Sequence, residues 1–189
     1  MDSNGRRGVI RRLERDRDEL GRPSNARPRD GLGRPLARDA EPELTLEEFD
    51  FHDPKEALGK AIELWNEERF FEAHEVLENV WQAAPEEDRR FWQGVIQVAV
   101  GCVHHQRGNI HGTIVLLRKA ADKLADYPDI HNEVDVEQLR VFAEGVAAAV
   151  EEVQQILAIE YPRFPASHED VSPRLDEGAC SLDDAQSST

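Results

Sequence analysis

The chain has little with which to cross-link itself, enter a membrane or grip nucleic acid. Its 189 residues hold two cysteines, Cys102 and Cys180. With no spaced framework, and with Cys102 inside an apolar helical stretch, they exclude a disulfide scaffold and a cysteine zinc site. No apolar run approaches the roughly 18 residues a membrane span needs, which excludes an integral membrane protein. The Arg-rich start lacks the continuous apolar stretch of a secretory signal, so a cytoplasmic location is expected. Nor does any segment alternate apolar and polar residues long enough to read as a strand. Lysine is nearly absent: Lys55, Lys60, Lys119 and Lys123 are all there are.

What is present is acid, unevenly spread. Residues 1–40 hold 11 Arg against 7 Asp and Glu, whereas residues 41–189 hold 12 Lys and Arg against 32 Asp and Glu. The net charge is therefore +4 on the first part and −20 on the second, −16 in all. An acidic, lysine-poor surface suits a very salty cytoplasm: at about 1 M salt the Debye length is roughly 3 Å, so self-repulsion is screened while carboxylates keep the surface hydrated. A halophilic source is expected. The same field makes nucleic acid an unsuitable partner for the core domain, since that binding needs a basic face. The basic arm beside an acidic body also raises the possibility of a homo-oligomer.

Length and composition allow one domain plus tails. Residues 1–43, Arg-rich and interrupted by Pro23, Pro28, Pro35 and Pro42, read as a disordered extension, and residues 162–189 as a disordered acidic tail. Between them, 44–161 reads as a helical domain. Asp53-Pro54 opens the first helix, with Leu58, Ile62 and Trp65 on one face and Glu56 placed for a capping box. A second helix runs from Phe70 to about Ala83. Pro85 and the acids Glu86, Glu87 and Asp88 open a third, suited to the positive end of its dipole, which Gly108 ends. Asn109 caps a fourth that stops before Pro128. Asp135 starts a fifth, with Leu139, Phe142, Val146, Val150, Val153 and Leu157 inward. Ala73 and Leu77 align with Gly112 and Leu116 at an offset of 39 residues, which suggests two helical hairpins built alike. The expected fold is all-α, a compact bundle of about five helices built from two tetratricopeptide-like helical hairpins plus a closing helix.

The residues able to do chemistry concentrate on the second helix. His74 and Glu78 stand at i and i+4, one turn apart on one face, with Trp81 a further turn on. An imidazole and a carboxylate so placed can hold a divalent metal at roughly 2.0–2.2 Å, and catalytic zinc takes three such ligands from protein. The third helix supplies a stripe of Gln93, Gln97 and His104, from which His104 would be the third ligand. Glu75 lies off the His74 face and would serve as base, while His105 is expected at the surface. Without a metal, the same groups could satisfy one another by hydrogen bonds, the Trp81 indole N–H donating to one of the oxygens. The sequence His-Glu-x-x-Glu is not the His-Glu-x-x-His of the zinc-protease helix.

His74, Glu78 and Trp81 form His-x-x-x-Glu-x-x-Trp, preceded by Phe71-Glu72-Ala73. They are followed by Arg90-Phe91-Trp92-Gln93-Gly94-Val95-Ile96-Gln97, His104, Arg107-Gly108-Asn109 and Gly112. Over roughly Asp53 to Tyr127 this combination resembles the small helical proteins grouped as domain of unknown function 309. The resemblance implies a helical fold and a His-Glu motif suspected of binding metal, some members being labelled predicted metal-dependent hydrolases. The expectation is a hydrolase that activates water on zinc, manganese or iron held by His74, Glu78 and His104, with Trp81, Gln93 and Gln97 as supporting polar groups and a small molecule as substrate. The alternative is a tetratricopeptide-like interaction module with a protein partner and no catalysis.

Overall fold

The computed structural model describes residues 27–44, 51 and 53–164. Five helices follow one another as α1 (Pro54–Asn66), α2 (Phe70–Ala83), α3 (Glu86–Gln106), α4 (Ile110–Leu124) and α5 (Val136–Val153), with a ribbon of β1 (Ile130–His131) and β2 (Val134–Asp135) before α5. The all-α bundle is as expected, with the ribbon as its one departure. Asn132 and Glu133 both take positive φ, 48° and 61°, the geometry of a tight hairpin turn. Two residues per strand are too few to leave a period-2 signature.

The helix ends follow their caps. Asp53 accepts from the Lys55 amide, Asn109 from the Gly112 amide and Asp135 from the Gln138 amide, each satisfying an orphan donor of the first turn. Gln154 in the left-handed region, at φ 53°, ends α5. Val153 is accordingly 44% exposed and Leu157 lies past the helix, contrary to the inward stripe expected there. On α1 the buried residues are Ala57, Ala61, Leu64 and Trp65, with Leu58 and Ile62 only partly covered. The inner face is thus centred beside the stripe expected from Leu58, Ile62 and Trp65.

Helix α3 is the centre of the molecule. Phe91, Val95, Val98, Ala99, Cys102 and Val103 are all buried, and α3 packs against α2, α4 and α5. Two glycines let α4 approach. A Cβ on Gly94 would meet Leu124 Cδ2 at 2.9 Å, and one on Gly101 would meet Leu117 Cδ2 at 2.4 Å. Leu124 beside Gly94 and Leu117 beside Gly101 run in opposite chain directions, so α3 and α4 form an antiparallel hairpin. His105 is a correction: it is 6% exposed rather than superficial. Its ring bonds the Tyr161 hydroxyl at 2.6 Å and the Leu157 carbonyl at 2.9 Å. The chain returning after α5 thus covers this end of α3. That return continues through Pro162, whose carbonyl accepts from Trp65 Nε1, to Phe164, buried edge-on against Trp65.

The internal repeat is real but its register is 40 residues, not 39. Glu68 and Gly108 both take positive φ, 60° and 74°. The next amides, Arg69 and Asn109, bond back to Leu64 and His104 at 2.9 Å in each case, so the two helix ends close by the same left-handed turn. In this register Ala73 corresponds to Thr113 and Leu77 to Leu117, and all four are buried. Gly112 instead accommodates the His104 ring, whose Nδ1 would lie 2.3 Å from an added Cβ.

Gly101→Ala would drive a methyl into Leu117 where α4 crosses α3 closely. The expected cost is about 1–3 kcal/mol, read as a lower midpoint in urea unfolding with an unchanged slope. Gly59→Ala, which meets nothing within 4 Å, should instead be neutral or mildly stabilising.

Candidate functional site

The motif lies along one flank of α2, whose buried side (Phe70, Ala73, Val76, Leu77 and Val80) fixes the helix against the core. His74 is half-buried with its ring edge against Phe71, centroids 4.8 Å apart. Its Nδ1 donates to the Phe71 carbonyl one turn back, which sets the tautomer and leaves the lone pair on Nε2. That nitrogen lies 3.4 Å from Oε1 of Glu75. Burial, helped by the positive charges of Arg107 and Arg29, pushes the His74 pKa down to about 4 against the bond to the Phe71 carbonyl. The imidazole is therefore neutral at pH 7. Burial raises Glu75, Glu78 raises it further, and Arg29 opposes both. Glu78 is raised by loss of solvation, although its side chain reaches the surface.

Other expected members lie elsewhere. His104 sits at the end of α3 with Nδ1 held by Asn109 Nδ2 at 2.7 Å, its pKa lowered by burial and by Arg107. Gln97 faces α4, accepting from Lys123 Nζ at 3.3 Å. Gln93 is half-buried on the same helix. The Trp81 indole nitrogen is buried without a hydrogen-bond partner among the described residues, so the polar network expected around it does not form. His131 donates from Nε2 to Asp88 Oδ1 at 2.7 Å and packs on Phe91.

His74, Glu78 and His104 do not converge. Among the described residues no group of three His, Cys, Asp or Glu side chains is arranged to hold a metal ion. On α2 a metal would find His74 and one or two carboxylates, with two guanidinium groups close enough to depress the imidazole. That donor set does not fit the metal centre expected from the motif.

What the motif flank does hold is a piece of the chain itself. Residues 27–44, all but the last of them inside the extension expected to be disordered, form a strap closed by the bonds Asp30 N to Arg34 O, Leu36 N to Pro28 O and Glu43 N to Arg29 O. Gly33, at φ 73°, lies flat on Phe71: a Cβ there would fall 2.2 Å from the ring. Arg107 donates to the Leu32 carbonyl through Nε at 2.8 Å and also through Nη2. The Arg29 and Arg107 guanidiniums stand 5.2 and 5.5 Å from the Phe71 centroid. Phe71 and Arg107 were part of the motif context but carried no expected role. The available signal was Gly31-Leu32-Gly33 set between Arg29 and Arg34, a turn composition inside an otherwise charged arm. A cleft of about 430 Å³ between α1, the α2–α3 corner and the ribbon, lined by Leu58, Val80, Ala84 and Trp92 among others, contains none of the motif residues.

Fold and flank together define an all-helical bundle with a polar motif on its second helix. Residues 58–116 match the model of the family described as Domain of unknown function (DUF309), so this stretch of the chain is similar to that family. The matched region takes in the motif, His104 and Arg107 but not the strap. An "Uncharacterized protein YpuF" from Bacillus subtilis (strain 168) is 40% identical over 60 residues, 31% of this chain and 34% of that protein. An "Uncharacterized protein" from Aquifex aeolicus (strain VF5) is 28% identical over 97 residues, 51% of this chain and 29% of that protein. The chain thus spans about a third of the length of these relatives. No helix among the described residues is long and apolar enough to cross a membrane.

The depressed His74 has a definite signature. An unfolded imidazole titrates near 6.5 and the folded one near 4, so the unfolded state binds the extra proton as pH falls through this window. The stability this contributes is present above 6.5, is lost between 6.5 and 4, and is constant below. Glu75 and Glu78, raised in the fold, act in the opposite sense. The stability difference between wild type and His74→Gln should therefore shrink by on the order of 2 kcal/mol from pH 7 to pH 4, measured by urea unfolding at each pH. A difference independent of pH would show His74 to be freely solvated.

Proposed function

We propose that the protein is a helical interaction module that docks an extended peptide along the Phe71–His74 flank of α2 and the end of α3, and that residues 27–44 are its resident occupant. The observation that carries this reading is the grip of Arg107 on the Leu32 carbonyl while Gly33 lies on Phe71. A guanidinium holding a main-chain carbonyl recognises backbone. A flat ring approached so closely that no Cβ fits selects glycine. The partner class is a protein segment presenting a glycine turn, and the strongly acidic body favours one that is also basic.

The hydrolase reading has support from the family resemblance and from the neutral imidazole beside Glu75, but its third ligand is missing from the flank. Metal content measured on untagged protein in molar salt, alongside His74→Ala, separates the two readings. We expect no difference between the proteins. Near-stoichiometric metal lost in the variant would restore the hydrolase.

The interaction module has its own direct test. A labelled peptide of residues 27–44, titrated into a chain lacking residues 1–44 whose helix content is confirmed by circular dichroism, should bind saturably by fluorescence anisotropy. Gly33→Ala in the peptide or Arg107→Ala in the bundle should each weaken binding by roughly tenfold or more, at least about 1.4 kcal/mol. Absence of saturable binding to the folded bundle would overturn the proposal.

A further inference from the structure

The strap does more than lay backbone on Phe71; it also brings an arginine within electrostatic reach of Glu75. The Arg29 guanidinium stands 5.2 Å from the Phe71 centroid, while its Nη1 donates to the Gly33 carbonyl at 2.5 Å. The side chain is thereby locked in the same turn that presses on the ring. Glu75 and Glu78 lie on the same flank of α2, and their charges disfavour each other. Two partly desolvated carboxylates one turn apart are costly unless a cation stands nearby. An aromatic face beside such a pair suits a planar, weakly hydrated guanidinium better than an ammonium or a strongly hydrated ion. In this bundle the cation that the expected metal would have supplied is already present as Arg29.

We propose that Phe71 and Glu75 form a receptor for an arginine side chain, filled in cis by Arg29, so that the partner taken by this flank is an arginine-bearing peptide with a glycine turn following the arginine. This rests on the interaction-module reading and narrows it. The backbone grip by Arg107 would tolerate many sequences. The Phe71–Glu75 corner makes the choice, and lysine in place of arginine would be a poor substitute because it lacks the flat fork that lies over the ring. The Glu75 carboxylate then acts in recognition and not in metal binding.

A double-mutant cycle on the full chain tests this, read by amide hydrogen exchange at Asp30, Gly33, Leu36 and Glu43, whose bonds close the strap. Arg29→Ala should speed exchange at these amides by about tenfold and Glu75→Gln by several-fold, with the double variant no faster than Arg29→Ala alone. Amides of α3 should be unchanged in all three, which separates release of the strap from loss of fold. Arg29→Lys should behave nearly as Arg29→Ala. Glu75→Gln without effect on the strap, or effects of the two substitutions that simply add, would overturn the arginine receptor. The trans assay then distinguishes the two levels of the argument. If a peptide carrying Arg29→Ala binds as tightly as the wild-type peptide, the receptor fails and the interaction module stands. If neither peptide binds, both fail.

Discussion

The structure depends on one constraint: α3 must be buried around most of its circumference. A helix 21 residues long with apolar groups on most faces cannot be shielded by a single neighbour, so α2, α4, α5 and the returning chain each cover a sector. Gly94 and Gly101 decide how closely the α4 sector closes, because they allow leucines of α4 to sit against α3 backbone. His105, buried close to the Gly101 stripe near the end of α3, needs partners of its own, which Tyr161 and Leu157 provide. The placement of α2, and with it the motif flank, follows from the same packing.

Much of the fold was legible because its punctuation is local. Asp53, Asn109 and Asp135 announce helix starts by chemistry that acts within three residues, and Gly108 marks a stop through its positive φ. Glu68 makes the equivalent turn without the glycine that would have advertised it, and the repeat register was consequently misjudged by one residue. The ribbon at 130–135 is too short to have a period. The burial of His105 depends on a segment more than 50 residues away, which helical spacing on α3 cannot reveal.

The candidate site was legible as a cluster but not as an arrangement. Spacing correctly put His74, Glu75, Glu78 and Trp81 on one stretch of helix, and the family match agrees with that stretch. It could not say whether the third helix would turn His104 toward them, because that depends on the rotation of α3 about its axis. The rotation is set by the glycines facing α4, and it leaves His104 with Asn109 at the turn. The strap was the larger surprise. An arm rich in arginine and proline has too little apolar surface to fold alone, yet Gly33 and Leu44 find it on the bundle.

The 40-residue register has a further consequence. Moving each motif residue of α2 into the second hairpin brings His74 onto Ile114, Glu75 onto Val115, Glu78 onto Arg118 and Trp81 onto Ala121. One backbone template is thus used twice with different side chains. The second copy is largely apolar where the first is polar, and α4, which carries it, packs against α5. Had both copies kept the apolar set, the first hairpin would present a greasy face with no fifth helix to cover it. Had both kept the polar set, α5 would have lost the Ile114 and Ala121 surfaces from its side of the bundle. The asymmetry between two like hairpins divides the labour of the fold, with one copy completing the interior and the other left to meet whatever lies outside it.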